Sequence, residues 1–153
     1  MAIVLMASAC GSSSPEQTAT GTRLPVVTTT ALLADMVKNV GGELVDVTAL
    51  VPPGADVHSF QSTPADNVTV SSAAMVVSNG GGLDQFLDRL IDGSASDDAV
   101  RVFAAGTLLE LGPDRDDPHF WQNPVFAVKY AEGIRDGLVA ADPENSDEYK
   151  ANF

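Results

Sequence analysis

The stretch LPVVTTTALLADMVKNVGGELVDVTALV, residues 24–51, decides the fold. PVVTTT (25–30) is rich in β-branched residues and predicts a short buried strand. Leu33, Met36, Val37 and Val40 then recur at i, i+3, i+4 and i+7, the spacing of one helix face, and Gly41-Gly42 ends the run. ELVDVTALV (43–51) alternates before turning apolar and predicts a second strand, broken by Pro52-Pro53-Gly54. Strand, helix, strand in this order, repeated downstream, is the signature of parallel strands joined by crossover helices.

The same alternation continues downstream. Thr63-Pro64-Ala65-Asp66 is a helix start: Thr63 suits the cap, Pro64 the first helical position, and Asp66 reaches back like a capping-box acid. AMVVS (74–78) predicts a third strand and Asn79-Gly80-Gly81-Gly82 a tight loop. A helix carrying Leu83, Phe86, Leu87, Leu90 and Ile91 on one face follows, then a fourth strand, AVRVFAA (99–105). Asn123-Pro124 opens a helix whose inner face holds Ala127, Tyr130, Ala131, Ile134 and Leu138. Asp142-Pro143-Glu144 opens another. The expected fold class is therefore α/β, a four-stranded parallel sheet flanked by helices.

Upstream, MAIVLMASA (1–9) is apolar and ends in small residues, and Cys10 opens the polar tract GSSSPEQTATGT. This reads as a secretion signal followed by a flexible tether. The apolar run is far too short to span a bilayer. ASAC (7–10) resembles a bacterial lipobox, with Ala7 where an aliphatic residue is usual, and implies lipidation at Cys10. The expected organisation is a lipoprotein signal segment (1–10), a tether (11–23), one α/β domain (24–141) and a further helix start (142–153). A lone cysteine excludes an intrachain disulfide and a thiolate cluster. A net charge of −13 excludes nucleic acid as a partner, because phosphate recognition needs Lys and Arg to replace counterions.

The chain has only two histidines, 61 positions apart (119 − 58), each in a loop between predicted elements. His58 follows the second strand in PPGADVHSFQSTPAD; His119 lies beyond the fourth in DRDDPHFWQNP. In a parallel sheet such loops emerge at the carboxyl edge, where ligands bind. Two imidazoles there suit a transition metal. Asp56 and Asp117 each precede a histidine by two positions and are candidates to accept its second ring N–H. Trp121 is expected to pack under the His119 loop with its indole N–H hydrogen-bonded. Asp114, Asp116 and Asp117 form an acidic loop that reads mainly as a solvated surface.

These two segments resemble the ligand segments of the periplasmic metal-binding proteins that feed zinc and manganese ABC importers. Against that family's pattern Gly-x-Asp-Pro-His-x-Phe-Glu-Pro-Thr-Pro-x-Asp, residues Gly54, Asp56, His58, Phe60, Thr63, Pro64 and Asp66 match; Val57, Gln61 and Ser62 depart. Asp-Pro-His-x-Trp-x-x-Pro is met in full by Asp117, Pro118, His119, Trp121 and Pro124. SNGGGLDQFLDRLI resembles the family's Asn-Gly helix start, and DPENSDEYKANF the start of its helix joining two lobes. The resemblance implies a single N-terminal lobe of a two-lobed solute-binding protein, with His58 and His119 as two of four ligands to Zn2+ or Mn2+. It also implies an ABC permease as partner and an extracytoplasmic, membrane-anchored location. No His-rich loop lies between Glu110 and Asp117. Two other readings fit the residues less well. One is an adhesin-like surface lipoprotein with incidental metal. The other is a metallohydrolase, for which HExxH, GxSxG and P-loop motifs are missing.

Overall fold

The computed structural model describes residues 22–106, Leu108 and residues 117–153. Cys10, the predicted signal segment and nearly all of the tether lie outside the described residues, as do Asp114, Asp116 and the side chain of Phe86.

Four strands form the sheet: β1 (Leu24–Thr30), β2 (Val45–Val51), β3 (Met75–Ser78) and β4 (Val100–Phe103). All neighbours are parallel and the order is β2-β1-β3-β4. Leu24 lies opposite Val45, Val26 opposite Met75, and Met75 opposite Val100. The chain steps from β1 out to β2, then back across β1 to β3. The direction of winding therefore reverses between β1 and β3, and the crevice beyond their carboxyl ends is where doubly wound sheets hold ligands.

Among the described residues five helices of seven residues or more cover the two faces: α1 (Ala31–Gly41), α2 (Pro64–Ser71), α3 (Gln85–Ser94), α4 (Pro124–Ala141) and α5 (Ser146–Asn152). Strand side chains alternate between faces. Val26, Met75, Val77 and Val102 meet Leu33, Val37 and Val40 of α1, Tyr130, Ile134 and Leu138 of α4, and Tyr149 of α5. On the other face Val27, Val51 and Val76 meet Val70 of α2 and Leu87, Leu90 and Ile91 of α3. A Val or Leu taken wholly from water contributes about 1.5–3 kcal/mol before its ordering entropy. The central strand β3 is buried along its whole length, whereas the edge strands β2 and β4 leave Asp46, Thr48, Arg101 and Phe103 exposed.

The predicted helix starts hold at atomic level. The Asp66 carboxylate accepts from the Thr63 amide at 2.6 Å, and Asn123 Oδ1 accepts from the Val125 amide at 3.0 Å. Two predicted strands were too long. A 3-10 turn occupies Gly42–Leu44 because Gly42 adopts φ +57°, so β2 begins at Val45. Strand β4 ends at Phe103, where Ala104 and Ala105 turn to pack in the first core. Gly137 lets α4 lie close on the sheet: a Cβ there would collide with Val102 and crowd Met75.

Residues 142–153, read from sequence as the start of a helix joining two lobes, pack into the first core through Tyr149. Tyr149 is fully buried, and Asn152 donates to the Val40 carbonyl at the end of α1 at 3.1 Å. Among the described residues no helix is long and apolar enough to cross a membrane.

Candidate metal centre

Two loops at the carboxyl edge carry the histidines, and each is anchored in a different core. After β2 the chain passes Pro52-Pro53-Gly54, where Gly54 takes φ +82°, into a 3-10 turn at Val57–Ser59. Asp56 caps that turn, its Oδ1 accepting from the His58 amide at 2.9 Å. Val57 and Phe60 pack against the α2/α3 core. His58 itself is exposed, and its ring makes no hydrogen bond among the described residues. Asp56 therefore acts on the backbone of His58, not on its ring as the sequence had suggested.

His119 is held more closely. Phe120 is buried in the α1/α4 core and meets Phe126 edge-on at 5.7 Å between ring centroids. Asp117 Oδ1 accepts from the His119 amide at 3.0 Å and lies 2.6 Å from Nδ1 of the ring. The amide and then the ring of His119 hold the Asp117 carboxyl below the usual carboxylate range. An ionised carboxylate only accepts, so Nδ1 carries the proton of this contact and Nε2 is the ring nitrogen that Asp117 leaves unengaged. Trp121 meets the His119 ring edge-on at 5.1 Å and rests on Tyr130 at 6.3 Å. Its indole N–H has no hydrogen-bond partner among the described residues, contrary to expectation, and the side chain is only half-buried.

Both histidines and Trp121 line one cleft of about 380 Å³, together with Thr30, Leu32 and Leu83. Asp56 lines it as well. Among the described residues no group of three or more His, Cys, Asp or Glu side chains is placed to hold an ion. The cleft therefore offers two nitrogen donors in a largely apolar rim.

Sequence reading missed a buried polar network under the His119 loop. The Asp84 carboxylate, 1% exposed, accepts from the Thr29 hydroxyl at 2.6 Å, the Asn79 amide at 2.6 Å and the Gly80 amide at 3.0 Å. Three donors offset the cost of taking a charge from water. Asn79 Nδ2 donates to the carbonyls of Gly80 and Pro118, both at 3.0 Å. The Tyr130 hydroxyl donates to Asn79 Oδ1 at 2.9 Å, with a longer approach of 3.4 Å to the Pro118 carbonyl. Burial pushes that hydroxyl above its usual range, so it stays protonated as a donor. Gly80, Gly81 and Gly82 all have positive φ, at 80°, 66° and 85°, which is why this loop is a glycine run. The available signal was a pair of polar residues, Asn79 and Asp84, bracketing that run at a strand end.

Comparison with known proteins gives a consistent picture. The family model for the periplasmic zinc-uptake complex component A, ZnuA, matches residues 26–153. The chain is 37% identical over 153 residues to the manganese-binding lipoprotein MntA of Halalkalibacterium halodurans, covering 99% of this chain and 51% of that protein. It is 31% identical to the iron-binding protein YfeA of Yersinia pestis, covering 97% and 49%. Among solved structures, a manganese-bound periplasmic metal-binding protein from Candidatus Liberibacter asiaticus superposes with a TM-score of 0.76 at 27% identity, over 86% of this chain and 50% of that one. The zinc-bound ZnuA-like domain of Streptococcus pneumoniae AdcA gives 0.76 at 27%, over 86% and 49%. The chain spans about half the length of the curated relatives it matches.

Proposed function

We propose, from the premise that this chain belongs to the periplasmic zinc-uptake complex component A family, that it is a lobe of an extracytoplasmic binding protein that captures a divalent transition metal through His58 and His119 for an ABC importer. The observation that carries this is the shared cleft: the only two histidines of the sequence line the same 380 Å³ space. Neutral imidazole is a borderline donor that suits zinc, manganese and iron alike. Relatives named for manganese, iron and zinc all share this half, so the cargo is proposed as that class of ion.

His119 offers Nε2, because Asp117 occupies Nδ1. His58 offers a ring on a turn that Asp56 caps through the backbone. Two nitrogens fall short of the four donors usual for zinc. The remaining positions are proposed to be filled by the portion of such proteins that this chain does not match, or by water. Capture and release need no bond-making in the cargo, so no catalytic step is proposed. Relatives named as lipoproteins support lipidation at Cys10 and anchoring outside the cytoplasmic membrane.

Zinc and manganese titrations of the chain and of His58→Ala and His119→Ala test the assignment. Each variant is expected to weaken binding at least tenfold, as loss of one of two ligands requires. One-to-one binding unchanged in both variants overturns it. Labelling with a radioactive fatty acid, lost in Cys10→Ser, tests the anchor.

A further inference from the structure

The two histidines are presented very differently. His58 stands exposed on a capped turn, whereas the His119 segment is held at Asp117, Pro118 and Phe120. The Pro118 carbonyl, one residue before His119, is where that grip meets the interior: Asn79 Nδ2 lies 3.0 Å from it and the Tyr130 hydroxyl 3.4 Å. Asn79 is 1% exposed and Tyr130 fully buried, so both side chains are sheltered; the single Tyr130 proton goes to Asn79 Oδ1, so Asn79 holds the Pro118 carbonyl directly and Tyr130 holds it chiefly through Asn79. Asn79 is itself fixed on three sides. Its amide is held by Asp84, its side-chain oxygen by Tyr130, and its carbonyl accepts from the Ala105 amide at 3.0 Å. Asp84 in turn is bound to Thr29. The ends of β1, β3 and β4 and the second turn of α4 are thereby joined at one carbonyl beside the cleft.

We infer that Asn79 and Tyr130 are positioning residues for the ligand His119: Asn79 holds the Pro118 carbonyl and Tyr130 holds Asn79, and together they fix the backbone on which Asp117 aligns the His119 ring with its Nε2 free of that contact. The metal part of this inference rests on the proposed function; the ring alignment does not. The bond from Asp117 to Nδ1 forms only if the 117–119 turn keeps its path, since one carboxylate oxygen must reach both the amide and the ring of His119. The Tyr130 ring adds a second constraint through Trp121, which it supports against the His119 ring.

The test compares Asn79→Asp, Tyr130→Phe and Tyr149→Phe in the full chain. Tyr149→Phe is the matched control: it also removes the hydroxyl of a buried tyrosine, one bonded to Asp142 at 2.7 Å, and neither residue lines the cleft. Nitrogen-15 spectra of the metal-free chain resolve the two histidine rings. Wild type is expected to show His119 as the Nδ1–H tautomer. Tyr130→Phe and Asn79→Asp should shift it toward a tautomer mixture while His58 stays put, and Tyr149→Phe should change neither ring. Zinc titration should show the dissociation constant raised about tenfold in Asn79→Asp and about threefold in Tyr130→Phe, within the range that supporting partners of metal ligands command. Should the aspartate variant fail to fold, Tyr130→Phe decides alone. If it leaves the His119 tautomer as in wild type, the inference is overturned, whatever its melting temperature. If the ring shifts but zinc binding proves independent of His119, as judged by His119→Ala, the alignment stands and the metal assignment falls.

Discussion

Replacing Thr29 by Val removes one hydroxyl from the interior and nothing else of comparable size. Thr29 is fully buried in β1, and its Oγ1 donates to Asp84 Oδ2 at 2.6 Å. Valine has the same shape and a higher preference for strands, so packing is retained. What is lost is a hydrogen bond to a buried carboxylate, worth about 1.5–3 kcal/mol, against which a buried methyl returns about 0.8 kcal/mol. The net cost is about 1.5 kcal/mol. At ~2.1 cal/mol/K per residue the unfolding entropy of a domain this size is roughly 0.3 kcal/mol/K, so the melting temperature should fall by about 5 °C. Thermal and urea melts followed by circular dichroism measure this. A double-mutant cycle with Asp84→Asn isolates the pair, with an expected coupling of about 1 kcal/mol. A shift under about 1 °C, or strict additivity with Asp84→Asn, would show that the carboxylate does not depend on Thr29.

Three other outcomes follow from the same structure. Asp117→Asn should weaken zinc binding by about 10–100-fold without touching the ion, since the ring loses its charged orienting partner; isothermal titration checks it. Burial first of all, and for Tyr149 its bond to Asp142, raises the Tyr130 and Tyr149 hydroxyls above the usual 10.0. Because the folded values lie above the unfolded ones, this stability is fully present below pH 10 and is lost as pH climbs toward the folded values; tyrosinate absorbance and circular dichroism should change together there, less so in Tyr149→Phe. Gly82→Ala, with open space around its Cβ but φ +85°, should cost about 1 kcal/mol, whereas Gly137→Ala, which drives a methyl into Val102, should cost about 1–3 kcal/mol; urea melts separate the two.

The β1-α1-β2 unit was legible because its side-chain periods switch cleanly between strand and helix, and because Gly41-Gly42 marks the joint. The caps at Thr63 and Asn123 were legible because capping is local chemistry within four residues. The histidines were legible as candidates because they are the only two and sit after strands in the same setting. Less legible was what each neighbouring acid does. Asp56 and Asp117 occupy equivalent places in sequence, yet the 3-10 turn at Val57–Ser59 turns Asp56 to the backbone, while Asp117 also reaches the ring. The Asp84–Asn79–Tyr130 network lay beyond reach for another reason. Its members are separated by as many as 51 positions and meet only once α4 lies across the sheet, so no local pattern announces them.

The seating of α5 bears on how this protein is cut for study. Asp142-Pro143 looks like a natural place to trim, a break in hydropathy before a short acidic segment. Yet Tyr149 plugs the groove between α1 and α4, and Asn152 covers the Val40 carbonyl in the last turn of α1. A recombinant version stopped at residue 141 would be left uncorked, its first core opened where the Tyr149 ring had closed it, whatever ion it carries.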